Sequence, residues 1–453
     1  MIQKQQEFIS LLKKYNQFHI IKYLENLTPE EKKDILETAD CLNFKLVFEL
    51  YEQFSSGKNI SFRGYEKITS PVIFNPTDRS KTQDLCNVGK LSIKKGEVAV
   101  TIAAGGQATR LGYPYPKGLY PISPVKGKSL FMLFCEKIKA LSSKYDVDIP
   151  FLIMTNPENN KQIKDFFEKN NFWGLNDKNV FFFNQELLPS VTPEGKIILK
   201  EDGHFLANPD GHGGTLKSIF KTGLLQQMEH RGVKRIFYCH IDNPLVKIID
   251  PVFLGYHITT EADFSLKTVK KKPGEKVGTF VYADGKATVI EYIELAEILK
   301  KYKNAREKLL FNNGSIGIHI INTEFIKNIN KDGFALPYHR QKKTLSIGNK
   351  EIEVWKFETF IFDAIPFAKK VSCMETKREE EFAPLKNKQG QDSPSDVKRK
   401  MSELYKKWLA TAGINVPDNV TVEISPLFAC CEKEFVRKIK KRKVIIQKEI
   451  YIE

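Results

Sequence analysis

Val98-Ala-Val-Thr-Ile-Ala103-Ala104-Gly105-Gly106-Gln-Ala108-Thr109-Arg110-Leu-Gly-Tyr-Pro-Tyr-Pro-Lys117-Gly118 is the stretch on which the reading of the whole chain turns. Its first six residues are β-prone and carry none of the polar alternation of a half-exposed strand. They predict a strand covered on both faces, at the start of a parallel sheet. Gly105 and Gly106 follow directly and let the backbone turn sharply and approach a phosphate without a Cβ in the way. Arg110 and Lys117 supply positive charge for its oxygens. The spacing is neither that of a Walker loop nor that of a dinucleotide fingerprint. A bare Gly-Gly would read as an ordinary strand-to-helix turn; the strand, the two glycines and the two cations together predict a loop for a polyphosphate.

Outward from this loop, similar apolar runs recur at Pro150 to Thr155, Val180 to Phe183 and Arg235 to His240. Helical periodicity separates them near Leu130 to Leu141, Asn160 to Lys169 and Thr215 to Met228. That alternation predicts βαβ units and an open α/β sheet. After Ile249 the pattern becomes mixed, with strands expected at Val277 to Tyr282, Thr288 to Tyr292 and Gly314 to Ile321. Before the loop, apolar residues from Gln6 to Phe54 recur at three and four. Thr28-Pro29-Glu30-Glu31 is a helix start, with Thr28 as N-cap and Pro29 at the first helical position. The first seventy or so residues therefore read as helical, and the stretch with Pro71, Pro76 and Gly89 as a connector. Beyond Leu385 come a polar loop, a helix to about Leu409 and a strand-prone end. The expected boundaries are a helical N-terminal region over 1–94, a catalytic domain over 95–385 and a small C-terminal domain over 386–453.

The 453 residues exceed the size at which one core stops growing. At 41% hydrophobic and 28% charged, the composition is globular. The longest apolar runs fall well short of a membrane span. The N-terminus has no apolar export segment, so the expected location is the cytoplasm. Seven cysteines without a CxxC pair predict reduced thiols, with neither disulfides nor structural zinc. Lys and Arg number 71 against 55 Asp and Glu, a surplus that attracts anions. Part of it is concentrated in Arg437, Lys438, Lys440, Lys441, Arg442 and Lys443.

Two further motifs point to chemistry. In His240-Ile-Asp242-Asn243-Pro244, Asp242 stands at the carboxyl end of a strand, where open α/β sheets place ligands. A carboxylate there can hold Mg2+ against phosphate oxygens, although a lone Asp-Asn also suits a turn. Asn208-Pro-Asp-Gly211-His212-Gly-Gly214 is a glycine-rich turn that lets a flat base or sugar lie against backbone. His212 in it is either a ligand for a hydroxyl or phosphate or an ordinary turn histidine.

Taken together these motifs resemble the UTP-dependent sugar-1-phosphate uridylyltransferases, most closely the UDP-N-acetylhexosamine pyrophosphorylase branch. The likeness spans nearly the whole chain. It continues through Glu275-Lys-Val-Gly278, Val289-Ile-Glu291-Tyr292, Phe311-Asn312-Asn-Gly314, Phe360-Ile-Phe-Asp363 and Glu381-Phe-Ala-Pro-Leu-Lys386-Asn387. The resemblance implies a Rossmann-like nucleotidyltransferase sheet, mixed but mainly parallel. It implies that Ala103, Ala104, Gly105 and Gly106 line UTP, that Lys117 contacts its phosphates, and that Gln185 and Gly211 recognise uracil. Asp242 would ligate Mg2+. Gly278, Glu291 and Asn312 correspond to the sugar pocket, with Tyr292 beside them, and Lys356 and Lys386 to lysines that grip the sugar phosphate and the developing charge. The implied reaction makes a UDP-sugar and pyrophosphate from UTP and a sugar 1-phosphate, with a monomer as the default state and neither membrane nor nucleic acid as partner.

Three positions depart from the family pattern. Ala108 replaces the last glycine of the loop, and Ala is small enough to leave Thr109 and Arg110 in place. His212 stands where the acetylhexosamine enzymes typically carry Asn, in a form similar to UDP-glucose pyrophosphorylases. Ser315 likewise replaces an Asn that contacts the sugar. A UDP-glucose or broad UDP-sugar pyrophosphorylase is thus the rival within the class. From another class, the basic surplus suits a nucleic-acid binder. No helix-turn-helix or zinc-finger signature accompanies it, and the basic run is interleaved with Ile439 as on an amphipathic surface.

Overall fold

The computed structural model describes residues 2–56, 65–77, 79–106, 108–272, 274–300, 311–347, 350–440, 442 and 444–453. The chain divides into two compact units. The smaller comprises Met1–Gly64, Gln185–Ser218 and Ala335–Ala364, the larger Tyr65–Asn184, Ile219–Phe334 and Ile365–Glu453.

In the larger unit the predicted parallel strands are present. Val180–Asn184, Phe151–Thr155, Val98–Ala103 and Arg235–His240 lie side by side in that order. Ala99, Val100, Thr101 and Ile102 are fully buried, as a run without alternation requires. Next to Arg235–His240 the sheet becomes mixed: Asn313–Asn322 runs antiparallel to it and pairs with Phe264–Lys270, which pairs in parallel with Val371–Glu375. Helix Leu130–Tyr145 starts where the Ser129 hydroxyl accepts the Met132 amide at 3.1 Å, and it buries Phe131, Phe134 and Ile138 in the core under the sheet. Each such side chain contributes about 1.5–3 kcal/mol by leaving water. Among the described residues no helix is long and apolar enough to cross a membrane.

Several elements differ from the sequence reading. Gly89 does not mark a connector but lies inside helix Arg79–Lys94, against helix Pro251–Thr259. A Cβ on Gly89 would fall 2.0 Å from the Pro251 carbonyl oxygen, and one on Gly255 1.8 Å from that of Leu85. Both glycines are there for close helix packing. The helix expected from Thr215 to Met228 is two, Gly214–Lys221 and Leu224–His230, divided at Gly223 with φ 74°. The strand expected to reach Tyr292 ends at Ile290, because Glu291 caps helix Tyr292–Leu299. At the C-terminal end, helix Pro394–Thr411 is followed by Thr421–Ile424, paired in parallel with Glu449–Ile452. Of the basic run, Lys441 and Lys443 lie outside the described residues; Phe435 and Ile439 of helix Glu432–Ile439 are buried.

The smaller unit begins with helices Ile2–Lys14, Phe18–Glu25, Pro29–Asp40 and Phe44–Ser55. Thr28 is the N-cap of the third, in a reciprocal capping box with Glu31. The predicted helical region extends into 57–64, outside the described residues. The helices do not bury their apolar faces only on one another. Leu12, Ile20, Val47 and Phe48 share a core with Leu188, Val191, Ile197, Phe205, Trp355 and Phe357. Buried Gln17 fastens the contact, donating to Gly195 O at 2.9 Å and accepting from the Ile197 amide at 2.9 Å. Trp355 and Phe357 belong to a hairpin, His339–Ile347 with Lys350–Glu358, that the sequence reading did not contain.

Candidate functional site

The predicted residues divide between the two units. In the larger one, strand Val98–Ala103 ends beside His240, its register partner, so the turn after Ala103 and the turn after His240 emerge at the same sheet edge. Ala104 is held by its amide to Met154 O at 2.9 Å. The Gly105 carbonyl accepts from the Asn156 and Asn159 side chains at 2.7 and 3.2 Å. Gly106 is exposed, and a Cβ there would meet nothing within 4 Å, which leaves its backbone face open to a ligand. Arg110 is exposed on the short turn Thr109–Leu111.

Lys117 and Asp242 come together at this edge, Nζ to Oδ2 at 3.7 Å, both less than one-fifth or about one-fifth exposed at 18% and 20%. The same ammonium donates to Leu385 O at 3.2 Å. Leu385 is in turn tied to Asp242 by an amide-to-carbonyl bond of 2.8 Å. Asn243 completes the junction. It is buried, donates to Glu381 O at 2.7 Å and accepts the Ala383 amide at 3.1 Å. The segment that carries Lys386 is therefore stitched to the strand end that carries Asp242. His240 lies among these charges. Burial pushes its imidazole below the ordinary range, Asp242 opposes this, and Lys386 and Lys117 add to it. Gly317, at φ 68°, exists to clear that ring: a Cβ there would sit 2.5 Å from His240 Cδ2.

Among the sugar-pocket candidates, Gly278 O accepts the Ser315 amide at 2.8 Å, and a Cβ on Gly278 would come within 4.0 Å of Glu291 Oε1. Asn312 follows on the same side, its carbonyl accepting the Lys271 amide at 2.8 Å. Tyr292 opens the helix that Glu291 caps and is half-buried. Gly278, Glu291, Tyr292, Asn312 and Ser315 thus lie in the larger unit on or next to strand Asn313–Asn322, strand Thr279–Ala283 and the start of helix Tyr292–Leu299.

The smaller unit gathers Gln185, Gly211, His212 and Lys356. Lys356 donates to Asn208 Oδ1 at the start of the glycine turn. The His212 Nδ1 accepts the Ile361 amide at 3.2 Å, and its ring packs on Phe360 and Phe362 at 5.4 and 5.8 Å. The glycines here answer to the chain itself. A Cβ on Gly211, at φ 86°, would fall 2.4 Å from Thr359 O, and one on Gly214 2.2 Å from Asp210 Oδ1. Gln185 is buried beside a polar cluster absent from the sequence reading: Asp210, Glu186, Lys217 and Tyr338. Burial raises the Asp210 carboxyl to about 7; Lys217 opposes this, Glu186 adds to it, and the Gln185 amide opposes it. Asn156 and Asn159 gave no signal in the sequence, whereas Asp210 and Asn243 stand within the two motifs already singled out.

Among the described residues no three His, Cys, Asp or Glu side chains gather as a metal cage. Asp242 is a single, partly exposed carboxylate beside Lys117. That donor set fits Mg2+, which is commonly held by one or two carboxylates together with substrate phosphates.

A family model described as UTP--glucose-1-phosphate uridylyltransferase matches residues 43–442. The chain is 35% identical over 431 residues to the UDP-N-acetylglucosamine pyrophosphorylase of Saccharomyces cerevisiae, covering 88% of this chain and 90% of that one. It is 31% identical over 450 residues to UDP-N-acetylglucosamine diphosphorylase 2 of Arabidopsis thaliana, covering 93% and 89%. Among solved structures, it matches the uridine diphosphate N-acetylglucosamine pyrophosphorylase from Trypanosoma brucei, crystallised with an inhibitor, with a TM-score of 0.84. That match has 27% identity and covers 99% of this chain and 98% of the other.

Proposed function

Because the chain belongs to the UTP–glucose-1-phosphate uridylyltransferase family, we propose that it joins UTP and N-acetylglucosamine 1-phosphate to give UDP-N-acetylglucosamine and pyrophosphate. The observation that carries the reading is the meeting of Lys117, Asp242 and the Leu385 carbonyl next to the Gly105–Gly106 turn. The yeast, Arabidopsis and trypanosome relatives are N-acetylglucosamine enzymes, and they select the sugar.

A sugar phosphate monoester is largely a dianion near neutral pH. One of its oxygens attacks the α-phosphorus of UTP without prior removal of a proton, and the bond from that phosphorus to the bridging oxygen breaks as pyrophosphate leaves. The protein's work is to hold two polyanions in line and to offset their charge. Ala103, Ala104, Gly105 and Gly106 bring backbone close to the nucleotide, and Arg110 and Lys117 face its phosphates. Lys356 and Lys386 take the sugar phosphate and the developing charge. Gln185 and Gly211 read the uracil; His212, Gly278, Glu291, Tyr292, Asn312 and Ser315 bound the sugar. Asp242 would hold Mg2+, whose chemistry is to polarise phosphoryl oxygens and neutralise their charge.

Pyrophosphate release with N-acetylglucosamine 1-phosphate and glucose 1-phosphate, measured side by side, tests the proposal. Lys117→Ala and Asp242→Ala should each lower turnover by about 10²–10³. Near-normal turnover of both variants, or no pyrophosphate release with either sugar, would discard it. A preference for glucose 1-phosphate would establish the second reading, which His212 and Ser315 favour.

A further inference from the structure

Behind the Asp242 strand end, the larger unit carries a partly open cavity of about 940 Å3. Its lining includes Pro244, Leu245 and Val246 and, from helix Glu432–Ile439, Lys433 and Arg437. Neither Lys117, Asp242 nor the Gly105–Gly106 turn lines it. From its charge and its lining, we infer that this cavity is a binding site for a small organic anion with an aromatic or fused-ring body and at least two negative charges.

The charge argument rests on which lining groups already have partners. Each acid in the wall is held by a lysine: Asp250 by Lys267 at 2.8 Å, Glu375 by Lys270 at 2.9 Å, Glu380 by Lys247 at 2.8 Å and Glu434 by Lys144 at 3.0 Å. Four lining cations remain. Among the described residues, no ion pair joins Lys90, Lys137, Lys433 or Arg437 to a carboxylate. Lys137 is the most telling, because its half-buried side chain hands its ammonium only to neutral acceptors, the carbonyls of Pro244 and Val246. Burial drives it down to about 8, the behaviour of a cation short of a counter-ion. The lining is otherwise apolar and aromatic, with Tyr145, Tyr405 and Trp408 each less than one-tenth exposed. A cavity of this size, with ring-lined walls and a few convergent charges, has the make-up of small-molecule sites.

Lys137 also gives the site a route to the chemistry, since the carbonyls it holds lie two and four residues beyond Asp242. An anion competing for that ammonium would loosen the turn that positions Asp242; this last step rests on the function proposed above.

The test is a fluorescence titration of the full chain with bis-ANS, a two-sulfonate aromatic dye, with and without saturating UTP. It is repeated on the double variant Lys433→Glu, Arg437→Glu, both on an exposed helix surface. Expected are saturable binding unchanged by UTP, a roughly tenfold weaker affinity in the variant, and pyrophosphate release by the dye-free variant equal to that of the unaltered chain. Displacement of the dye by UTP, or equal affinity in the two proteins, overturns the inference. Failure of the proposed reaction would leave the dye result standing, so the two readings fail separately.

Discussion

Asn243→Ala offers the sharpest check on how the candidate site around Asp242 is assembled. The side chain is buried and makes three hydrogen bonds: to Glu381 O at 2.7 Å, from the Ala383 amide at 3.1 Å and from the Leu245 amide at 3.3 Å. Alanine leaves those three backbone groups without their partner inside the protein. At about 1–3 kcal/mol for each buried group, and allowing for incomplete additivity, the loss of stability should be about 3–5 kcal/mol. The kinetic effect follows from the same geometry. Leu385 would stay joined to Asp242 through one backbone bond of 2.8 Å, but the chain on either side of Ala383 would be released, and Lys386 is next along it. A misplacement of about 1 Å costs about 10² in rate, so kcat should fall by that order while the Michaelis constant for UTP changes little. Urea unfolding and pyrophosphate release, measured on one preparation, read both quantities. Asn243→Asp keeps an acceptor for Ala383 but sets a carboxylate against Glu381 O, and it should be impaired as well. A stability loss below about 1 kcal/mol, with turnover within about twofold of the unaltered chain, would refute the reasoning.

Gln185→Ala should raise the Michaelis constant for UTP with little change in kcat, since a base contact is made equally in ground and transition states; steady-state kinetics decide it. Asp210 takes up a proton on folding, because its carboxyl lies near 7 in the fold against an ordinary 3.8. The unfolded chain binds fewer protons between those values, so this group makes the protein less stable as pH rises from about 4 to about 7, by up to about 4 kcal/mol. Asp210→Asn should accordingly melt with the unaltered chain at pH 4 and above it at pH 8, and a lower melting temperature at pH 8 would contradict this. Lys267→Met removes a fully buried ammonium held at 2.8 Å to Asp250 and 2.6 Å to Glu381. Buried Glu381 and partly buried Asp250 lose their shared partner, which should cost about 3–5 kcal/mol in denaturant unfolding.

The sheet was legible because a strand buried on both faces shows no polar alternation, and Val98 to Ala103 has none, its one hydroxyl being that of fully buried, β-branched Thr101. Helix Asn160–Lys169 was readable from end to end for a similar reason, since its periodicity is strong and its flanks are polar. Glycine was the least faithful signal. Gly89 reads as a breaker from the sequence and is a packing surface in the fold, and Gly211 reads as room for a ligand yet is filled from behind by Thr359. Lys117 and Asp242, charged residues next to a motif, could be singled out as candidates from local context. Lys356 and Lys386 could not: each is an ordinary surface-like lysine in sequence, and only family likeness singled them out. Asn156 and Asn159 serve the loop through side-chain bonds to one carbonyl, a contact made across the sheet that leaves no periodicity behind.

The smaller unit is assembled from three stretches far apart in the chain, and that has a cost during synthesis. Its opening helices leave the ribosome with Leu12, Ile20, Val47 and Phe48 uncovered, and the last of their cover, Trp355 and Phe357, arrives some three hundred residues later. At about 5–20 residues per second, this is a wait of roughly 15–60 s. For that interval the nascent chain presents sticky amphipathic helices with no finished core, so the early helices are where chaperone demand and co-translational misassembly should concentrate.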